Sequence, residues 1–279
     1  MSLSYLVATD LSSRSDRAMA RAFDLAQRNG ASMHVVSVID NAAPNAMVAD
    51  MATGAQRLIE RQCDKLGASV STQIHVVTGD PTADTLRLIE QTEPDMVIMG
   101  THRDRSFFDA LRETTAQRIT RLTPYPVLIA KKPAEMPYVA VLAAMDYSPA
   151  ATAALRMAAN LAPEASVTPL HVLHVPYGGM LAKTPDGQTT LERSFRAEAA
   201  RFDATWRATE TLPDTVGETL VETGAPFSII AQLSRRQNID LIALGAHGRI
   251  GGRRPILGSL ALDLMREPPC DLLIGRDRP

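Results

Sequence analysis

The chain repeats itself with a period of about 140 of its 279 residues. The segment Thr78-Gly79-Asp80-Pro81 is answered by Thr223-Gly224-Ala225-Pro226, and Gly100 is answered by Gly245 at the same offset, 245 − 100 = 145. Solenoid repeats have much shorter periods of about 20–50 residues. Each copy is therefore long enough to be a complete domain with its own core.

Each copy alternates short apolar runs, typical of buried strands, with runs of helical periodicity. Strands alternating with helices predict parallel pairing and a sheet covered by helices. The proline-containing segment Lys131–Pro137 interrupts this pattern and is interpreted as a linker. We place one domain at residues 1–132 and the other at 138–279. Residues 40–53, with Pro44 and scattered alanines, are predicted to be a loop.

Composition narrows the class of protein. The net charge is −2, so no nucleic-acid partner is expected. No apolar run approaches 18 residues and no targeting pattern is seen, so we expect a cytoplasmic protein with no membrane partner. Cys63 and Cys270 are isolated from each other in sequence and predict neither a disulfide framework nor a metal centre.

Residues 245–259 form a glycine-rich connection with the sequence GAHGRIGGRRPILGS. The apolar run Asp240–Leu244 before it predicts a strand, and the spacing of Leu260, Leu264 and Met265 after it predicts a helix. A glycine loop that opens a helix offers backbone N–H groups and a positive dipole end to an anion. The loop is therefore predicted to hold the phosphates of a nucleotide.

The motifs of each half resemble those of the universal stress protein family, and the whole chain resembles a tandem member. The resemblance rests on Asp-x-Ser after the first strand (Asp146 and Ser148), on His174-Val175, and on the Gly-x2-Gly-x9-Gly-Ser loop. It implies an α/β fold of two tandem open five-stranded parallel sheets, strand order 3-2-1-4-5, with helices on both faces and similar to the adenine-nucleotide alpha hydrolases. It also implies ATP, with Mg²⁺, as the ligand.

Chemistry assigns roles to the matched residues. Gly245 and Gly248 would let the backbone approach phosphate oxygens, with His247 between them. Gly258 and Ser259 would offer donors at a helix start, and these two positions are part of the family's loop. Asp146 would accept hydrogen bonds from adenosine, because the strand order puts it across the same crevice.

Three assignments are left open. The family uses a backbone group at the position matching Val175 to meet the adenine, but the strand holds a second His-Val pair, His171-Val172. Catalysis by His247 and a role for Asp146 as a plain helix cap are further alternatives.

The lysine of a P-loop and the glycine spacing of a dinucleotide fingerprint are both missing from the loop. A standard ATPase or dehydrogenase is thereby disfavoured.

The first half departs from the pattern. Arg103 stands where the second half has Gly248, and Glu113 stands where it has Gly258, whereas Asp10 and Thr114 are kept. A carboxylate at the phosphate position repels the ligand. The first site is predicted to be degenerate, either empty or holding another ligand through Arg103 and Arg105.

The expected function is a stress-response module that senses or stores ATP with little turnover. A slow ATP-hydrolysing or nucleotidyl-transferring enzyme and a nucleotide-independent scaffold are the alternatives. The last strand of each half, Pro126–Ala130 and Cys270–Ile274, is apolar and lies at a sheet edge, which invites pairing. The resemblance implies an intramolecular pseudo-dimer of the two halves, and a homodimer of the chain is a further possibility.

Overall fold

In the computed structural model, which describes residues 3–41, 45–101, 113–173, 185–248 and 257–277, strands and helices alternate along the chain. The elements of the first half are β1 (Ser4–Ala8), α1 (Ser13–Asn29), β2 (Ser32–Asp40), α2 (Asn45–Gly67), β3 (Thr72–Gly79), α3 (Pro81–Thr92), β4 (Met96–Gly100), α4 (Thr115–Leu122) and β5 (Val127–Ala130). Those of the second half are β6 (Ala140–Ala144), α5 (Pro149–Leu161), β7 (Ser166–Leu173), α6 (Pro185–Thr209), β8 (Leu220–Thr223), α7 (Pro226–Arg236), β9 (Leu241–Gly245), α8 (Ser259–Arg266) and β10 (Asp271–Gly275).

All ten strands join one sheet in the order β3-β2-β1-β4-β5-β10-β9-β6-β7-β8. Within each half the pairing is parallel and the order is 3-2-1-4-5, as predicted. The halves meet where β5 and β10 pair antiparallel, with Leu128 opposite Leu273. The two predicted edge strands therefore lie together in the middle of the sheet, and the free edges are β3 and β8.

The helices cover both faces of the sheet. One buried cluster contains residues of α1, α2, α5 and α6, and the other contains residues of α3, α4, α7 and α8. Strand residues alternate between the two clusters: Val7 joins the first and Leu6 the second. This alternation is the period of two that a strand buried on both faces requires.

The turn after the first strand of each half has the same structure twice. An aspartate side chain accepts a hydrogen bond from a serine backbone N–H two residues on, at 3.1 Å for Asp10 and 3.0 Å for Asp146. The residue between them adopts a left-handed conformation, with φ of 59° at Leu11 and 61° at Tyr147. The repeat read from the sequence is thus visible in the backbone.

Helix α2 corrects one prediction. Residues 40–53 were expected to form a loop, but the helix begins at Asn45. Its first turns carry the exposed side chains of Met47 and Met51, so they show no buried stripe from which a helix can be read. Helical propensity alone, high for Ala and Met, marks this segment.

The segment predicted as a linker is held in place by both halves. Backbone N–H groups of Lys131 and Lys132 donate to Asp271 at 2.8 and 2.9 Å, and Arg21 donates to the carbonyl oxygen of Met136 at 3.1 Å. The hydroxyl of Tyr138 donates to Asp271 at 2.7 Å. The connection is therefore an ordered part of the junction between the halves.

Lys131 and Arg276 occupy matching places after β5 and β10. The Lys131 ammonium donates to the carbonyl oxygen of Pro268, just beyond α8, and the Arg276 guanidinium donates to that of Thr120 in α4. Each cation thus sits at the carboxyl end of the last helix of the other half, where the helix dipole favours positive charge. In the described part of the chain, no helix has the length and apolar character needed to cross a membrane.

Candidate functional site

A cavity of about 260 Å³ opens at the carboxyl ends of β6 and β9. These neighbouring strands feed helices on opposite faces, α5 and α8, so the cavity lies at a topological switch point. Six of the predicted site residues line it, namely Asp146, Gly245, His247, Gly248, Gly258 and Ser259. The structure therefore brings together residues that are more than 100 positions apart in sequence.

Val175 lies outside the described residues, so the predicted adenine contact stays a prediction. Arg249, Arg253 and Arg254 of the loop also lie outside the described residues. The alternative pair is better defined, since His171 and Val172 both line the cavity. Nδ1 of His171 lies 2.7 Å from the carbonyl oxygen of Met145, and because a carbonyl only accepts, this nitrogen carries the proton.

Asp146 is fixed at the mouth of the cavity. Its Oδ1 accepts from the Ser148 backbone N–H, while the Ser148 hydroxyl accepts from Ala151 and caps α5. Asp146 therefore stabilises the turn, and Ser148 is the residue that caps α5. The alternative role of Asp146 as a helix cap is thus replaced by a role in the turn, which leaves its other oxygen facing the glycine loop. A Cβ added at Gly248 would come within 2.9 Å of this Oδ2, so the carboxylate lies beside the glycine loop.

Gly245 has a packing role that the sequence did not reveal. A Cβ at this position would lie 2.8 Å from the backbone nitrogen of Ala151 and 3.0 Å from the carbonyl carbon of Ala150, in the first turn of α5. Gly100 meets the first turn of α1 in the same way, 2.7 Å from the carbonyl oxygen of Arg14. Glycine at this place therefore allows strand and helix to pack closely in both halves, whether or not a ligand binds.

Gly258 differs from Gly245, because the fold leaves room for a side chain there. Its φ is −63°, which any residue adopts, and an added Cβ would make only ordinary contacts, the nearest at 3.6 Å. Its own N–H is occupied, donating to the carbonyl oxygen of Ala246 at 2.8 Å. The expectation that Gly258 offers a donor is therefore corrected: the donors at this helix start are the backbone N–H groups from Ser259 onward.

The start of α8 is suited to an anion. Gly258 is its capping residue and has no side chain to accept from the first-turn N–H groups. Ser259, Leu260 and Ala261, which form that turn, all line the cavity. Uncapped N–H groups together with the dipole form the usual anion-binding arrangement of a helix N-terminus.

The walls of the cavity include residues that the motif did not identify. They are apolar side chains from four elements: Ala144, Leu170, Val172, Pro226, Ile230 and Leu244. Two of them had a sequence signal: Val172 belongs to the alternative His-Val pair, and Pro226 follows the repeated Thr-Gly turn. An apolar pocket ending in a few polar groups is the usual form of a small-molecule site.

At the matching place in the first half, the start of α4 is capped by its own side chains. Thr114 caps α4, accepting from Gln117 N–H at 3.1 Å, and Gln117 Oε1 accepts from Thr114 N–H at 3.0 Å. This capping box satisfies N–H groups at the start of α4, whereas the corresponding N–H groups of α8 have no side-chain acceptor from the capping residue. Arg103 and Arg105 lie outside the described residues.

Glu113 adds negative charge beside this helix start. Both its carboxylate oxygens pair with Arg121, at 2.8 and 2.9 Å. The hydrogen bond from Arg121 holds the pKa of Glu113 below its usual value. On the other side of the crevice, burial acts to raise the pKa of Asp10, but hydrogen bonds from Ser12 and Ser15 outweigh it and the pKa is lowered.

The fold and the site define the class of protein: a doubled, doubly wound α/β protein with a cavity at the switch point of its second half. The model of the universal stress protein family matches the chain twice, over residues 3–131 and 137–276. The chain belongs to this family as a tandem two-domain member.

Individual relatives agree with this assignment. Universal stress protein A homolog 1 of Coxiella burnetii is 31% identical over 144 residues, covering 50% of this chain and 96% of that protein. A universal stress protein structure from Archaeoglobus fulgidus superposes with a TM-score of 0.71 at 19% identity, over 99% of this chain and 98% of the other. A functionally unknown protein from Pseudomonas aeruginosa gives 0.65 at 17% identity, over 98% and 92%. At these identities the structures show the fold alone.

Proposed function

We propose that the chain binds one adenine nucleotide, ATP with Mg²⁺, in its C-terminal half. One observation carries the proposal: the cavity at the switch point is bounded by Asp146, by the glycine loop and by the uncapped start of α8. A nucleoside phosphate needs a hydrogen-bond acceptor for the nucleoside, a backbone that can come close to the phosphates, and N–H donors for the phosphate oxygens.

The cavity suggests how such a ligand would be oriented. Its volume of about 260 Å³ is just below the range of roughly 300–1,000 Å³ that is usual for small-molecule pockets. The apolar walls formed by Leu170, Pro226 and Ile230 suit a planar base. The phosphates would then lie at the mouth, between Gly248 and the first turn of α8, with Mg²⁺ offsetting their charge.

Asp146 would contact the nucleoside or the metal. As a carboxylate it accepts hydrogen bonds from ribose hydroxyls or an amino group, and it is also a hard oxygen ligand for Mg²⁺. Near Gly248 it would repel bare phosphates, so the metal-bound nucleotide is the form that this site favours.

The protein would sense or store the nucleotide with little turnover. The described part of the cavity wall offers no lysine to the terminal phosphate, and His247 is the one general base that the loop brings to it. The closed helix start of the first half supports a single site per chain. The pairing of β5 with β10 supports an intramolecular pseudo-dimer, in which the first half acts as the structural partner of the second.

Calorimetric titration of the purified chain with ATP and Mg²⁺ tests the proposal. The expected result is one ATP per chain, with product formation far below one turnover during the titration. Two sites per chain would contradict the asymmetry between the halves. Steady multiple turnover that His247→Ala abolishes would show that the protein is an ATP-hydrolysing enzyme instead. The absence of measurable ATP affinity would support the nucleotide-independent scaffold.

A further inference from the structure

Two histidines face each other on the first half of the sheet, far from the cavity in sequence and structure. Nδ1 of His34, on β2, lies 3.1 Å from Nε2 of His75, on the edge strand β3. The ring centroids are 5.4 Å apart and the ring planes are inclined by 31°. In the sheet register His75 is opposite Val36, so it shares a face with His34, two residues away on β2.

Both rings are accessible for binding, since each side chain is only partly buried. Imidazole is the commonest metal ligand in proteins and binds through the lone pair of a ring nitrogen.

The distance between the two nitrogens fits a pair of adjacent metal ligands. Imidazole nitrogens bind zinc at about 2.0–2.1 Å. Two nitrogens at about 2.05 Å from one ion and 3.1 Å from each other subtend an angle of about 98° at the ion. That angle lies between the right angle of a square-planar site and the tetrahedral angle. A linear two-coordinate arrangement needs the nitrogens about 4 Å apart, twice the bond length, so the pair does not fit that geometry.

We propose that His34 and His75 form a binding site for a divalent transition metal, Cu²⁺, Ni²⁺ or Zn²⁺. These are the ions that imidazole pairs prefer, and Cu²⁺ is expected to bind tightest. Among the described residues no group of three or more His, Cys, Asp and Glu surrounds one point, so water completes the coordination. The site is therefore open and exchangeable.

Metal at this site would join the edge strand to its neighbour. β3 pairs with β2 on one side only, because it is the last strand of the sheet. An ion held by one residue from each strand adds a cross-link where the sheet has a free edge. Bound metal should then slow amide hydrogen exchange in Thr72–Gly79 more than elsewhere.

The competing explanation is a hydrogen bond between the two rings, with one nitrogen donating and the other accepting. It accounts for the same distance but predicts no metal affinity. Binding that depends on both residues separates the two explanations.

The test uses untagged full-length protein titrated with CuCl₂, compared with His34→Gln, His75→Gln and the double variant. The matched control is Gln73→Ala, on the same strand but with no imidazole removed. The wild type and the control should bind one Cu²⁺ that each single variant binds about ten-fold more weakly or not at all. Electron paramagnetic resonance should show coupling to two nitrogens in the wild type.

Equal Cu²⁺ affinity in the wild type and the double variant would overturn the proposal, because the chain has four other histidines that can bind copper. Nitrogen couplings unchanged by His75→Gln would overturn it as well. Circular dichroism of each variant guards against loss of fold. Hydrogen exchange of β3 with and without ZnCl₂ gives a second readout. Protection by ZnCl₂ that persists in the double variant would contradict a metal cross-link between β2 and β3.

Discussion

Arg21 and Asp271, 250 positions apart, form a buried ion pair across the junction of the two halves, with Nε 3.2 Å from Oδ2. Neither side chain is more than 4% exposed. Asp271 also accepts from Tyr138 and from two backbone N–H groups of the linker, and the Arg21 guanidinium lies 4.3 Å from the centre of the Tyr138 ring. Because the charges are buried, their pairing and hydrogen bonds decide whether they can be tolerated at all.

Removal of the carboxylate at this junction should be costly. Asp271→Ala leaves the buried Arg21 with Asp24, at 3.3 Å, as its remaining carboxylate partner and removes the acceptor of the Tyr138 hydroxyl and of two backbone N–H groups. We expect a loss of about 3–5 kcal/mol in the free energy of unfolding. Urea denaturation measures it. The matched control is Asp263→Ala, which breaks an exposed pair with Arg266 and should cost about 1 kcal/mol or less. Equal losses in the free energy of unfolding for the two substitutions would show that burial of the ion pair does not determine the loss.

Gly258→Glu copies the first half and should abolish the nucleotide site without unfolding the protein. The carboxylate would face the phosphates, and like charge at that distance weakens ATP binding by about 100-fold. Calorimetry measures the affinity and thermal unfolding checks the fold. The control Gly258→Ala adds only the Cβ for which there is room, so it should bind within a few-fold of the wild type.

The reverse substitution should fail to create a second site. In Glu113→Gly the capping box of Thr114 and Gln117 still occupies the start of α4. We expect the stoichiometry to remain one ATP per chain. A second equivalent of ATP in this variant would show that Glu113 alone closes the first half.

Trp206 is the chain's only tryptophan and should report on the proposed site. Its ring lies 5.9 Å from that of Tyr147, the residue that directly follows Asp146, and its Nε1 donates to Thr152 at 3.0 Å. Nucleotide binding that shifts the Asp146 turn should change the Trp206 fluorescence. The titration midpoint should match calorimetry, and the signal should be absent in Gly258→Glu. Unchanged fluorescence at saturating ATP would show that the turn stays fixed.

Two glycine-to-alanine substitutions should act in opposite directions. In Gly245→Ala the new Cβ meets backbone atoms of Ala150 and Ala151, so we expect a loss of about 1–3 kcal/mol in the free energy of unfolding. In Gly54→Ala nothing lies within 4 Å of the new atom, and α2 should gain about 0.5–1 kcal/mol. Urea denaturation of both variants tests this, and a stabilised Gly245→Ala would refute the packing role.

The histidine pair should make stability fall with acid. The folded-state pKa values of His34 and His75 lie below the usual 6.5, so the unfolded chain binds more protons as pH drops below 6.5. Above pH 6.5 the pair leaves the free energy of unfolding unchanged, and below pH 6.5 this free energy falls progressively. Denaturation at a series of pH values in chelator-treated buffer measures the slope. The variant His34→Gln/His75→Gln should show a shallower slope, and an identical slope would assign the acid loss to other groups.

Most of the fold could be predicted from local patterns. Apolar runs gave the strands, and the Asp-x-Ser turn and Thr-Gly turn gave their ends. The start of α2 could not be predicted, because Met47 and Met51 are exposed and leave no buried stripe. The site was predicted in its polar part and missed in its apolar walls, since Leu170 and Ile230 look like any other core residue until the fold brings them to one cavity.

The sequence by itself determined the repeat, the parallel pairing within each half and the asymmetry between the glycine loops, because each depends on residue type and spacing along the chain. The strand order within each half was implied by the family resemblance. Only the tertiary structure decided what joins the halves and why particular glycines are there. Asp271 has no predicted role within the run Cys270–Ile274, and Gly245 is predicted only to let the backbone approach the phosphates. Their roles depend on Arg21 and Ala151, which the sequence does not place beside them and which only the folding of the sheet and its helices brings within contact distance.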